Sequence, residues 1–88
     1  MLVHVISGNL RLLKGKFLVH RDQQFSEVQA IVRKYLTPTL APEKGLIYFI
    51  KDGTGVPPGS WLMSRIDHEF ASKDGFVYVG VRCEDTFG

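Results

Sequence analysis

Leu46-Ile47-Tyr48-Phe49-Ile50 is an unbroken apolar run, and it constrains the fold of this chain more than any other segment. Its length is that of a strand, and its lack of alternation is typical of a strand covered on both faces. Lys51-Asp52-Gly53-Thr54-Gly55 follows it as a turn. The rest of the chain must therefore supply further strands beside this run and helices to cover it.

The flanking segments supply both. Val3-His4-Val5-Ile6 reads as a strand, Ser7-Gly8-Asn9 as a turn, and Lys16-Phe17-Leu18-Val19-His20 as a second strand, which together predict a hairpin. Asp22 is placed to N-cap a helix running to about Leu36. Phe25, Val28, Ile31, Val32 and Tyr35 recur along it at helical spacing, and Pro38 stops it. Pro57-Pro58 opens a second, short helix, with Ser60 near its first turn and Leu62, Ile66 and Phe70 along one face. Lys73-Asp74-Gly75 breaks that helix, and Phe76–Val81 is the last strand. Alternation puts Val77, Val79 and Val81 on one face of it and Phe76 and Tyr78 on the other. Hairpin, helix, strand, short helix, strand is the order of a β-grasp, an α+β fold in which a small mixed sheet wraps one main helix. The first and last strands of that fold pair in parallel.

Eighty-eight residues make one domain with one modest core. We expect the domain to span residues 1–81 and residues 82–88 to form a flexible tail. Hydrophobic residues at 44% and charged residues at 23% are the balance of a globule, not of a disordered chain. No apolar run approaches the ~18–20 residues that span a bilayer. Met1–Ile6 lacks the basic start and long apolar core of a signal peptide. One cysteine, Cys83, excludes an internal disulfide and fits the cytosol. Net charge is +2, with the basic residues concentrated before residue 37. No basic motif interleaved with aromatics is present, so nucleic acid is not an expected partner.

Enzyme chemistry finds no foothold. Gly53-x-Gly55 begins like a phosphate loop, but Pro58 stands where the next glycine belongs. His4, His20, His68 and Cys83 lack metal-ligand spacing. No catalytic residue, metal or cofactor is expected. The tail carries a different possibility, because Gly88 ends it. The carboxylate of a glycine can be activated and passed to an amine, and without a Cβ the residue enters a narrow channel. By itself a final glycine does not distinguish that role from accident.

From about residue 42 onward the sequence resembles the ubiquitin-like modifiers of autophagy. The resemblance rests on Pro42–Ile50, Val56-Pro57-Pro58, Leu62-Met63-Ser64-x-Ile66, Lys73–Val79 and Glu84-x-Thr86-Phe87-Gly88, in order and at matching spacing. These stretches are similar to the autophagy-related protein eight family, which includes the GABA-receptor-associated protein. Lys16–Val19 and Ile31–Lys34 extend the likeness over nearly the whole chain. Two features depart from it. The sequence opens almost directly on the first strand, without the family's N-terminal helical extension. Phe25-x-x-Val28-x-x-Ile31-Val32-Arg33-x-x-Leu36, with a cysteine in the tail, looks more like the sister family, autophagy-related protein twelve.

The resemblance implies activation of Gly88 and its transfer, by ubiquitin-like activating and conjugating enzymes, to phosphatidylethanolamine. In the sister family the acceptor is a lysine of a partner protein, joined by an isopeptide bond. A third reading is a β-grasp interaction module that is never conjugated. Phe87 and Thr86 are the implied recognition residues of the tail, and with Gly88 already terminal no protease step is expected. The resemblance also implies receptors that bind as linear motifs, by adding a strand to a sheet edge. One pocket for them falls on Lys16, Leu18 and Phe76, the other on Phe17, Val19, Val28, Ile31 and Val32. For Val28, Ile31 and Val32 the plain alternative is core packing. Tyr35 stands where the family usually has a basic residue. The implied locations are the cytoplasm and, after conjugation, the autophagosomal membrane, reached only through the conjugate.

Overall fold

The computed structural model describes residues 1–7, 11–36, 45–50 and 55–83, with Cys83 by its backbone alone. Its elements are β1 (Leu2–Ser7), β2 (Lys16–Leu18), α1 (Phe25–Lys34), β3 (Leu46–Ile50), α2 (Met63–Phe70) and β4 (Phe76–Cys83). The four strands form one sheet in the order β2-β1-β4-β3. β1 pairs antiparallel with β2, setting Leu2 opposite Leu18 and His4 opposite Lys16. It pairs parallel with β4 from Leu2–Phe76 to Ser7–Val81, the pairing predicted for a β-grasp. β3 pairs antiparallel with β4 at the far edge.

The period of two along the central strands decides what is inside. Val3 and Val5 of β1, and Val77, Val79 and Val81 of β4, are buried on the inner face. They pack in one cluster with Phe25, Val28 and Val32 of α1 and Met63 and Ile66 of α2. Both helices thus bury their apolar side chains against the same face of the sheet. Tyr48 ties β3 to α1, its hydroxyl donating to the Gln29 carbonyl at 3.3 Å. Burial raises the pKa of that phenol, and the nearby Arg33 guanidinium offsets part of the rise.

Several boundaries differ from those predicted. α1 begins at Phe25 behind Gln24, not behind Asp22. Gln24 is extended, and its own N–H donates to Glu27 Oε1 at 3.1 Å. The first N–H groups of the helix proper are satisfied by backbone. Phe25 donates to the Trp61 carbonyl at 2.8 Å and Ser26 to the Gly59 carbonyl at 2.9 Å. α2 begins at Met63, not at Pro57-Pro58. Those prolines lead into a turn in which the Pro58 carbonyl accepts from the Trp61 N–H at 3.1 Å. The first amides of α2 are bound in return, Met63 donating to the Gln23 carbonyl at 2.7 Å and Ser64 to that of Arg21 at 3.0 Å. With the start displaced, the buried stripe of α2 is Met63, Ile66 and, half-buried, Phe70, while Leu62 is exposed.

β3 is not covered on both faces. It is an edge strand whose inner residues Tyr48 and Ile50 are buried and whose Ile47 and Phe49 are half-buried on the outer face. Phe49 lies across Gly80 of β4, with the Arg82 guanidinium 5.9 Å from its ring centroid, which leaves it half-buried on the outer face. The predicted turn at 51–54 and the stop at Pro38 lie outside the described residues. Gly75 supplies the one positive φ among the described residues, +86°, in the turn into β4.

Candidate functional site: a sheet edge and the approach to the tail

β2 is the other edge of the sheet, and among the described residues no strand pairs its outer side. It is short, but the hairpin is extended by Met1 and Val19, whose backbone groups bond each other in both directions at 2.9 Å. Leu18 points away from the core and is 80% exposed, with Leu2 beside it on β1 and Phe76 next on β4. The following row is Lys16, His4 and Tyr78. His4 stands between two rings, its centroid 6.1 Å from that of Phe76 and 5.3 Å from that of Tyr78. Lys16 Nζ sits 5.9 Å from the Phe76 centroid. The result is an apolar and aromatic platform beside an open strand edge, with a lysine at its rim.

The turn before β4 fixes the far side of the platform. Asp74 accepts from the Tyr78 hydroxyl and, at 2.9 Å, from the Phe76 N–H. These two bonds, the phenol first, hold the Asp74 carboxyl below the usual carboxylate range. The Tyr78 ring is therefore tied through its hydroxyl to a charge at the base of the platform, and the same carboxylate holds the Phe76 backbone.

The residues assigned to the second pocket lie on the other side of the sheet. Phe17, Val19, Val28 and Val32 are all core residues, each at most 6% exposed, and Ile31 is half-buried. The seam between β2 and the end of α1 is closed by the chain leading into β2. Leu12 bridges to Leu36, and the Leu13 N–H donates to the Tyr35 carbonyl at 2.7 Å. Tyr35 meets Phe17 edge-on at 5.3 Å, and Lys14 Nζ lies 5.2 Å from the Phe17 centroid and 5.5 Å from that of Tyr35. Lys16, Leu18 and Phe76 are thus together on the outer face, whereas Phe17, Val19, Val28, Ile31 and Val32 are gathered under the sheet. Sequence reasoning missed His4, Leu2 and Lys14. Strand alternation from Val3 and Val5 could have placed His4 outside. Nothing periodic marks Lys14.

Thr86, Phe87 and Gly88 lie outside the described residues. β4 carries the chain toward them as far as Cys83, which pairs with Leu46, so the ladder passes the boundary placed at residue 81. Among the described residues no cluster of His, Cys, Asp and Glu could hold a metal ion. Nor is any helix among them long and apolar enough to cross a membrane.

A mixed four-stranded sheet with a parallel central pair, folded over one main helix and a short one, is the ubiquitin-like β-grasp. Comparison with known proteins narrows the class. A family model described as "Autophagy protein Atg8 ubiquitin like" matches residues 6–88, and the chain belongs to that family. Autophagy-related protein 8 of Candida glabrata is 39% identical over 75 residues, covering 85% of this chain and 60% of the relative. The protein of the same name from Saccharomyces cerevisiae is 40% identical over 75 residues, with 85% and 61% covered. The sequence thus spans about three fifths of the length of these relatives. The crystal structure of Trypanosoma brucei ATG8 superposes with a TM-score of 0.76 at 26% identity, over all of this chain and 76% of that one.

Proposed function

We propose that this chain is a ubiquitin-like autophagy modifier, activated at Gly88 and conjugated to phosphatidylethanolamine, and not an enzyme. The observation that carries this reading is the family match, which runs through residue 88 and so includes the tail. In the proposed chemistry an activating enzyme adenylates the Gly88 carboxylate with ATP, releasing pyrophosphate. An enzyme thiol then displaces AMP and forms a thioester. The lipid amine attacks the thioester, an amide forms, and the thiol is freed. The protein supplies the acyl group and the surface the enzymes recognise. Thr86 and Phe87 are read beside the glycine, and the residues that follow Cys83, where the β4 ladder ends, act as the tail of the domain. The unconjugated protein resides in the cytoplasm and joins the autophagosomal membrane through its lipid.

The β2 edge serves receptors. An extended peptide adds a strand there, and one of its apolar side chains rests on Leu18, Leu2 and Phe76. Support comes from the open edge and from the 80% exposure of Leu18, a residue a monomer gains nothing by displaying.

Mass spectrometry of the protein recovered from its own cells tests the conjugation, with Gly88→Ala as the control. A mass increase matching phosphatidylethanolamine on Gly88, absent from the variant, is expected. Linkage of Gly88 to a lysine of another protein would establish the sister type of modifier instead. A free carboxylate throughout, in cells carrying out autophagy, would leave a plain interaction module.

A further inference from the structure

The two ends of the sheet differ in charge. β1 and β4 run in parallel, from Leu2 beside Phe76 at one end to Ser7 beside Val81 at the other. The chain entering β2 lies toward the second end, where the Gly15 carbonyl accepts from the Val5 N–H at 2.7 Å. The end of α1 is fastened there too, through the Leu12–Leu36 bridge and the Leu13–Tyr35 bond. β4 leaves the sheet at the same end, with Cys83 beside Leu46. This pole therefore gathers Arg11 and Lys14 from the chain before β2, Lys34 from the last turn of α1 and Arg82 from β4, all of them exposed. Leu13, between the first two in sequence, is 63% exposed.

The described carboxylates all lie elsewhere. Asp22 follows the hairpin and Asp74 precedes β4, both at the first end. Glu27 is in the first turn of α1, whose last turn is at the tail pole. Asp67 and Glu69 are on α2, paired with Arg21 and Arg65. That helix ends beside the start of β4, where the Ser72 N–H donates to the Phe76 carbonyl at 2.8 Å. The negative end of α1 is muted as well, because the Val32, Arg33 and Tyr35 carbonyls accept from Tyr35, Leu36 and Leu13.

We propose that this tail-side pole is a docking surface for anionic phospholipid headgroups, with Arg11, Lys14, Lys34 and Arg82 facing the headgroups and Leu13 entering the interface. The inference rests on the conjugation reading given above and adds to it the orientation of the domain on its membrane. Chain length carries the argument together with charge. Residues 84–88 span at most ~18 Å even when fully extended. With a lipid on Gly88, the pole is held within about two Debye lengths of the surface, close enough for its cations to settle on anionic headgroups. The short tail supplies the proximity, and the basic pole supplies the seat. In that orientation the Leu2, Leu18 and Phe76 row, at the first end of the sheet, faces away from the membrane and stays open to receptors.

Co-sedimentation of the full, unconjugated chain with vesicles tests the surface apart from the conjugation. Vesicles of phosphatidylcholine alone are compared with vesicles containing one third phosphatidylserine, at low ionic strength, where charge is least screened. Tighter binding to the anionic vesicles, by about tenfold or more, is expected. Lys34→Glu and Lys73→Glu change the net charge equally and differ in the pole they occupy, since Lys73 is exposed in the turn before β4. Lys34→Glu is expected to weaken binding by about tenfold, one cation at the surface being lost and a repulsion gained, and Lys73→Glu by less than about twofold. Circular dichroism establishes folding, and Arg11→Glu decides the matter if Lys34→Glu does not fold. Equal binding to both kinds of vesicle, or equal effects of the tail-pole and Lys73 variants, would overturn the proposal and leave the conjugation reading standing. Binding to a polyuridine oligonucleotide but to neither vesicle would assign the pole to nucleic acid and overturn it as well. Selective binding to anionic vesicles with no lipid found on Gly88 in cells would instead overturn the conjugation reading and keep the headgroup surface.

Discussion

Phe49 and Gly80 face each other across the β3–β4 ladder, and the ring of the first occupies the space where the second would carry a Cβ. An ideal Cβ on Gly80 would stand 3.0 Å from Phe49 Cδ2 and closer still to Cε2 and Cζ. Gly80 also pairs with Ile6 on its other side, so the ring spans the outer face toward the sheet's middle. This is an aromatic side chain covering a strand glycine, a device that stiffens an otherwise weak sheet position.

Gly80→Ala should therefore destabilise the domain by about 1–3 kcal/mol, since the ring must swing away or the strands must part. Urea denaturation measures it. In a Phe49→Ala background the same change should cost far less, and additive penalties would show that the two residues do not interact.

The start of α2 makes a second prediction, on neighbouring residues. Met63 is fully buried and Leu62 is 44% exposed. Met63→Ala should cost about 2–5 kcal/mol, as large-to-small changes in a core do. Leu62→Ala should stay within about 0.5 kcal/mol, as at other surface positions. The opposite order in thermal or urea unfolding would restore the stripe read from the sequence, with Leu62 inside.

Asp74 gives the domain a pH dependence whose sign follows from its bonds. Its pKa is lowered from 3.8 in the folded state, chiefly by the Tyr78 hydroxyl and then by the Phe76 N–H. A carboxyl depressed by folding contributes stability above its unfolded pKa and loses it as pH falls through the folded one. Tyr78→Phe removes the largest cause. The Asp74 titration followed by NMR should then move up toward the ordinary value. The stability difference between the two proteins should be present near neutrality and shrink once the medium is acid enough to protonate the carboxyl in both. A titration unchanged by the variant would place the cause elsewhere.

Leu18→Asp addresses the edge directly. The side chain is exposed, so unfolding curves should move by no more than about 0.5 kcal/mol. Binding of extended peptides at the β2 edge should be lost or reduced at least tenfold, because a carboxylate then replaces the apolar contact beside Phe76. A variant that unfolds would show Leu18 to be part of the core.

The order of elements and the inside-outside division of β4 were legible because both rest on strict periods. Val77, Val79 and Val81 alternate with Phe76 and Tyr78 whatever the neighbours do. Leu18 could be placed outside on the same ground. Helix starts were not legible, because backbone carbonyls from another segment receive the first amides, joined at α1 by Glu27 accepting from the Gln24 N–H. Asp22 had the right chemistry for a cap and Pro57-Pro58 for a first turn, and neither competes with carbonyls delivered at 2.7–3.0 Å. The apolar run Leu46–Ile50 misled in a different way. An unbroken run is ambiguous between a strand buried on both faces and an edge strand whose outer residues pack across a glycine, and Gly80 is thirty residues away. The Lys14–Phe17–Tyr35 cluster joins residues with no common period, so only the folded chain shows it.

The mutual bonding of the two helix starts has a consequence for how the domain opens. The amides of Phe25 and Ser26 end on Trp61 and Gly59, and those of Met63 and Ser64 end on Gln23 and Arg21. Each segment is donor to the other and acceptor from it, and every partner is main chain. Neither helix can fray from its N-terminus without exposing amides of the other. In hydrogen exchange the four amides should report one shared opening free energy rather than two. Side-chain drift at these positions leaves the joint intact, so its persistence is a property of the path of the chain and not of the identity of its residues.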